Sequence, residues 1–496
     1  MALKPRMEPY TRLLFRLYEA LSLLFIIRPI GGPHVVSQLG NYTTQDVRRR
    51  FLKNLAFLCD YKKGGSTATA IAVENCYDCY VFWVASNEGA GDKVVDFLKD
   101  VLNSLRMFCE PINELDRATA EEVLILRNSA RKCRLSLGNG DEEIDARLVE
   151  WLRQFESKSP DTTLCRTAYR SRNDEEMRYI EQLGRGTEDG PRPEDLIKAF
   201  RTVRHMIGRL AARIRSINQL LDDSSRVEAL LKTYQVAAVQ RPISALVPEA
   251  DAHTTLPRIL NRILPETDVQ HESCLVVLQR LDTQIKIEGQ LQDKFRSGGL
   301  QPCVHAEVQI LHHFYDGGRR YVSNDRYIAC SKPACVGCES YARHHPARVT
   351  LLDAHQKVYP NWGIVSLVGG KQNPGWINQR KIINDVIGDL KAMVIDRLGE
   401  LHAATAQHPD SFTGITASLV DESDSGSEIE GAEGSEAGPS SEVFSLDSAI
   451  DLLDLSTDPQ GAVQTEHRSG EGGNLENGGM LQYDYGESDD GGGAQL

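Results

Sequence analysis

No stretch of this 496-residue chain is apolar for long enough to cross a bilayer. The longest candidate, "ALSLLFII" at 20–27, falls far short of the roughly 20 residues a spanning helix needs. It follows Arg16 and Glu19 and has no small-residue cleavage site behind it, so it reads as an amphipathic helix rather than a targeting segment. Cysteine is also too sparse for a disulfide scaffold: 11 residues, an odd number, irregularly spaced. That usage fits free thiols in a reducing compartment, and the expectation is an intracellular protein of cytoplasm or nucleus with no membrane partner. There are no internal repeats.

Positive charge is missing from one end. Residues 421–496 hold 19 acidic side chains against Arg468 alone, whereas 1–420 carry 55 basic and 51 acidic residues. The formal charge of −14 therefore belongs to the tail. A body this close to neutral gives no support for duplex nucleic-acid binding by bulk electrostatics, which needs a concentrated basic field. Arg201, Arg204, His205, Arg209 and Arg213 could align as a basic stripe able to follow a phosphate backbone, or simply form a solvated helix face.

Four segments follow from pattern and composition. Residues 1–110 read as an N-terminal helix and a small α/β part, with strands at "ATAIAVE" and "CYVFWVAS" before the amphipathic "DKVVDFLKDVLNSLRMF". Residues 111–269 read as mostly helical. From 270 to 402 strands ("SCLVVLQRL", "RYIAC", "VTLLD", "GIVSLV") alternate with helices near 305–315, 334–344 and 378–400, giving an α/β layer. Residues 403–496 are Gly, Ser and acid-rich and are expected to be a disordered acidic tail. Within it, 442–456 ("EVFSLDSAIDLLDLS") sets apolar residues among acids and could dock on a protein partner.

The chemistry concentrates in "VHAEVQIL" at 304–311 and "SKPACVGCESY" at 331–341. Cys335 and Cys338, at i and i+3, share a helix face. At a helix N-terminus the dipole favours their thiolates. His305 would be a third ligand. Three protein ligands leave one tetrahedral position open, as a catalytic zinc requires. Glu307, two residues on, could pass a proton to and from a zinc-activated water. Cys330 or Cys303 could instead close a four-ligand structural site. Cys76 and Cys79 form a second CxxC without a further Cys/His pair at zinc-finger spacing. His312, His313, His344 and His345 read as core, surface or helix-end residues.

The pairing of "HAE" with a CxxC behind a strand resembles the zinc-dependent cytidine deaminase-like superfamily, whose signature is H-x-E … P-C-x-x-C. The wording "YIACSKPACVGC" is most similar to the nucleic acid or nucleotide deaminase-like domain common in fungal multidomain proteins. The resemblance covers about 270–400. It implies a mixed sheet flanked by helices, Zn2+ on His305, Cys335 and Cys338, and Glu307 as general acid/base in hydrolytic deamination. The substrate implied is a nucleobase, free or within a nucleotide or nucleic acid. Tyr359 and Trp362, in "VYPNWG", are candidates to stack on that base. The chain departs from the signature at Ala334, where the superfamily has proline. The opposing reading is a non-enzymatic interaction protein whose deaminase-like domain carries a structural zinc.

Overall fold

The computed structural model describes residues 7–406, apart from 29–34, 36, 38, 41, 63, 108–119, 138–142, 158–161, 186–192, 252 and 297. The expected acidic tail and its segment 442–456 lie outside the described residues. The chain begins with helices α1 (Pro9–Ile27) and α2 (Thr44–Cys59), the hairpin β1 (Thr69–Asn75) and β2 (Tyr80–Ser86), and α3 (Asp92–Met107). Six helices follow: α4 (Ala120–Ser136), α5 (Glu143–Ser157), α6 (Thr162–Ser171), α7 (Glu175–Arg185), α8 (Glu194–Ser224) and α9 (Glu228–Lys232). Then come β3 (Tyr234–Ala238), α10 (Leu256–Ile263), α11 (His271–Ile285), α12 (Ile287–Lys294) and β4 (Cys303–Val304). The described chain closes with α13 (Ala306–Asp316), β5 (Ala329–Cys330), α14 (Val336–His344), β6 (Trp362–Gly363) and α15 (Trp376–Ala406).

The molecule is helix-rich around a small mixed sheet of order β3-β2-β1-β5. β1 and β2 are antiparallel in register Thr69↔Ser86 to Asn75↔Tyr80, and β3 runs parallel to β2. β5 closes the other edge, with Ala70 opposite Cys330 and Ile71 opposite Ala329. The sheet thus joins strands from three separate stretches of sequence.

Alternation along the strands gives the sheet two unlike faces. Ile71, Val73, Phe82 and Val84 pack into a core with Phe51 and Leu55 of α2 and Leu98 and Leu102 of α3. Ala70, Ala72 and Ala85 face the other way, into a core shared with α13, α14, α1 and α15. Large side chains fill one interlayer space. On the other face, alanines let α13 come close to the strands.

Helix α1 is buried on nearly all sides, from Leu13 to Ile27, rather than amphipathic. An apolar helix of this kind is stable only when surrounded, and α10, α12 and α15 pack around it. Among the described residues no helix is long and apolar enough to cross a membrane. Helices α4 to α8 form a bundle with its own core, including Leu126, Phe155 and Phe200. The basic stripe of α8 is committed inside that bundle. Arg209 and Arg213 reach the buried Glu122 at 3.2 and 3.0 Å, and Arg204 reaches Glu181 at 3.0 Å. Arg201 donates to the Gly184 carbonyl at 2.7 Å.

The segment "SCLVVLQRL", expected as a strand, lies within α11. Its buried residues Cys274, Val277 and Leu278 are spaced three and four apart, the helical period, and the intervening apolar residues give the run its strand-like look. "VTLLD" contributes only one bridge, Thr350 to Tyr327.

Candidate metal centre

Two short turns build the site. In the first, β4 pairs with β6 in parallel (Cys303↔Trp362), and the chain leaves at His305, the N-cap of α13, with φ −65° and ψ 153°. His305 does not cap the helix with its own side chain. Asn87, just past β2, does so: its Oδ1 accepts from the Ala306 N–H at 2.8 Å. The buried Gln309 amide donates to Ser86 O at 2.9 Å and Val304 O at 2.7 Å, fixing the first turn of α13 to the strands.

The second turn follows β5. Ser331 N–H donates to Thr69 O at 2.8 Å, and Ser331 Oγ accepts from Thr69 N–H at 2.9 Å. Ala334 then pairs with the segment around Ala354: its N–H donates to Asp353 O at 2.8 Å, and its carbonyl accepts from His355 N–H at 3.0 Å. A proline has no N–H to offer there, which gives a physical reason for an alanine at this position. Cys335 is the N-cap of α14, and its Sγ accepts from Cys338 N–H at 3.5 Å.

These turns bring together three of the residues singled out by spacing. His305 Nδ1 lies 3.6 Å from Cys335 Sγ and 3.4 Å from Cys338 Sγ. The three donor atoms all fall within 4.8 Å of one another, so the group could hold a metal ion. One imidazole nitrogen and two sulfurs suit zinc. No fourth such donor joins them among the described residues. Cys303 donates its thiol to Asn87 O at 3.1 Å, and Cys330 points its thiol to Ile328 O at 3.7 Å. Burial pushes both thiols up in pKa.

Cys335 and Cys338 titrate as a pair. Burial opposes ionisation of Cys335. The hydrogen bond with Cys338 and the neighbouring His305 outweigh it, holding that thiol well below its ordinary value. Burial, then the Cys335 thiolate, push Cys338 well above. Cys335 is thus the thiol that ionises first, and a cation would draw out the second proton. Trp362, fully buried, donates its Nε1–H to Cys338 Sγ at 3.3 Å. Such a bond orients the sulfur and stabilises negative charge on it. Its ring lies against Gly337, where a Cβ would meet ring carbons at 2.4–2.7 Å.

Glu307, in the first turn of α13, has its carboxyl raised above the usual range, chiefly by burial, with His305 acting in the opposite direction. Tyr359 is half-buried, its ring edge-on to His305 with centroids 5.9 Å apart. Trp362, by contrast, has no exposed face to offer a base. The other histidines are engaged elsewhere: His312 with the Tyr341 hydroxyl at 2.8 Å, His313 against Trp83, His344 with Asp389 at 2.9 Å, and His345 buried beside Tyr341. Cys76 and Cys79 flank the β1–β2 turn, where Cys76 N–H donates to Cys79 O at 3.0 Å.

Asn87, Gly337 and the sulfur-directed role of Trp362 went unrecognised in the sequence. A glycine between two closely spaced cysteines, and an asparagine closing a strand, were the available signals.

No curated protein and no solved structure gives a match to the chain. Residues 304–366 match the family model OTT_1508_deam, described as a "-like deaminase". The matched segment contains His305, Glu307, Cys335, Cys338 and Trp362, so the cluster that could bind a metal lies within a deaminase-like domain.

Proposed function

We propose that the domain hydrolytically deaminates a nucleobase, free or carried on a nucleotide or nucleic acid, with zinc on His305, Cys335 and Cys338. The observation that carries this reading is Glu307, a shielded carboxyl with a raised pKa, two residues from a three-donor cluster. A closed structural site has no use for such a group. Zinc bound there supplies an acidified water. Glu307 takes the proton of the attacking water, whose oxygen adds to the amine-bearing carbon of the base. Glu307 then returns a proton to the amine, the C–N bond breaks, and ammonia leaves a carbonyl behind. Tyr359 offers an aromatic face for the base, while Trp362 holds a ligand sulfur in place.

The test compares elemental metal content and ammonia release of wild type and Glu307→Gln over cytosine- and adenine-bearing substrates. One zinc in both proteins, with ammonia from wild type alone, is expected. Turnover retained by Glu307→Gln, or no zinc in either protein, would overturn the reading.

A further inference from the structure

Two cavities of the described structure lie away from the metal cluster. One, of about 570 Å³, is lined by the start of α2 and by 323–326, 348 and 350. The other, of about 650 Å³, lies between the end of α14 and the start of α15. Arg326 and Arg348 line both, so the two form one groove with a shared cationic wall. Since His344 lines the second lobe and Cys335 begins the same helix, about 13 Å of helix separates groove and cluster.

The groove has more positive charge than its acids neutralise. Arg326, Arg348 and Lys381 line it and form no ion pair among the described residues. Arg48, buried, projects from α2 into the first lobe. Asp325 is the acid there, and Arg48 and Arg49 hold it at 3.2 and 2.6 Å. Asp385 is the acid of the second lobe, which Arg343 also lines.

The cationic wall is rigidly built. Segments 326–328 and 350 pair through Thr350 N–H to Arg326 O at 2.8 Å and Ile328 N–H to Thr350 O at 3.2 Å. The Arg326 guanidinium donates to Ala347 O at 2.8 Å, which fixes its direction. Five non-glycine residues in the described structure have positive φ, and three of them, Ser323 (51°), Asn324 (55°) and Arg348 (49°), line the first lobe. Each such conformation costs on the order of 1 kcal/mol and persists only where its surroundings enforce it. Arg326, its direction fixed by that bond, and the exposed Arg348 present two guanidinium groups to a polar cavity, the chemistry that pairs with phosphate oxygens.

We propose that this groove binds a phosphate-bearing anion with at least two phosphates, one in each lobe. The site is separate from the metal cluster and stands whether or not deamination occurs there.

The test measures equilibrium binding of inorganic triphosphate and of a short single-stranded oligonucleotide to the full chain. Wild type is compared with Arg348→Gln, with the double variant Arg326→Gln/Arg348→Gln, and with Arg296→Gln as a surface control. Binding of at least one probe is expected, weakened tenfold or more in the double variant and unchanged in the control. The single Arg348→Gln change removes no hydrogen bond described here, so its intermediate loss separates charge from folding. For about three neutralised phosphates on a single strand, affinity should fall about twentyfold between 50 and 200 mM salt. Triphosphate binding as tight as oligonucleotide binding would identify a small phosphate compound as the ligand. Oligonucleotide binding alone would identify a nucleic-acid backbone. Failure of wild type to bind either probe, or equal binding by the double variant, would overturn the proposal.

Discussion

Replacing Gly337 with alanine sets two effects of known sign against each other. Glycine inside a helix is worse than alanine by about 1 kcal/mol, so propensity alone makes the change stabilising. The added Cβ, however, would lie 2.4–2.7 Å from three ring carbons of Trp362. That ring is fully buried, and its N–H is anchored on Cys338 Sγ. Overpacking of this kind costs about 1–3 kcal/mol, at the upper end where the neighbour has nowhere to go. The clash should win by about 1–2 kcal/mol. Moving the ring also breaks its bond to the sulfur, which should weaken zinc binding about tenfold or more. Urea unfolding at saturating zinc gives the first quantity, and competition with a chromophoric chelator the second. Adding Trp362→Leu should relieve the clash, so the double variant should cost at least about 1 kcal/mol less than the sum of the singles. A Gly337→Ala protein more stable than wild type, with unchanged zinc affinity, would refute the reasoning.

Other changes test the same site and its surroundings. Cys335→Ser should abolish stoichiometric zinc and lower the melting temperature, read by metal analysis and calorimetry. Trp362→Phe should lower stability by about 1 kcal/mol through the smaller buried ring and weaken zinc binding about tenfold through loss of the N–H to Cys338. Ala334→Pro would bring the chain to the superfamily signature yet delete the N–H bonded to Asp353, and should cost about 1 kcal/mol in urea unfolding. His345 is buried, and burial, with His312 adding to it, lowers its pKa from 6.5 to about 4, while Asp316 acts in the opposite direction. The unfolded chain therefore takes up the proton first, so this contribution is complete above pH 6.5 and is lost as pH falls toward 4. The loss should be on the order of 3 kcal/mol, and His345→Gln should flatten the pH dependence of unfolding in that window.

The donors His305, Cys335 and Cys338 could be read because chemistry ties residue type to short spacing, and the fold then brought the two turns together. Trp362 was named as a candidate to stack on a base, but it is fully buried with its N–H on Cys338 Sγ. Its sequence position near the cluster showed in "VYPNWG", but its burial depends on the parallel pairing of β4 and β6. The strand β3 was hidden at the end of a helical stretch, since five residues after α9 carry no turn signal of their own. α11 looked like a strand because a short apolar run fits either period until its neighbours are known. Ala334 looked like a defect in a signature, and only its pairing with 353–355 supplies the reason for an N–H there.

The pairing of β1 with β5 joins residues some 260 positions apart. During synthesis the hairpin leaves the ribosome early, but its partner strand follows only after roughly 10–50 s of further translation. Throughout that interval the β1 edge presents unpaired N–H and C=O groups, the kind of edge that recruits foreign strands. The same wait applies to the cysteine turn, whose first anchor is Thr69 on that edge. Nascent chains stalled before residue 330 should therefore aggregate readily and take up no zinc, and competence for both folding and metal should arrive together when β5 emerges.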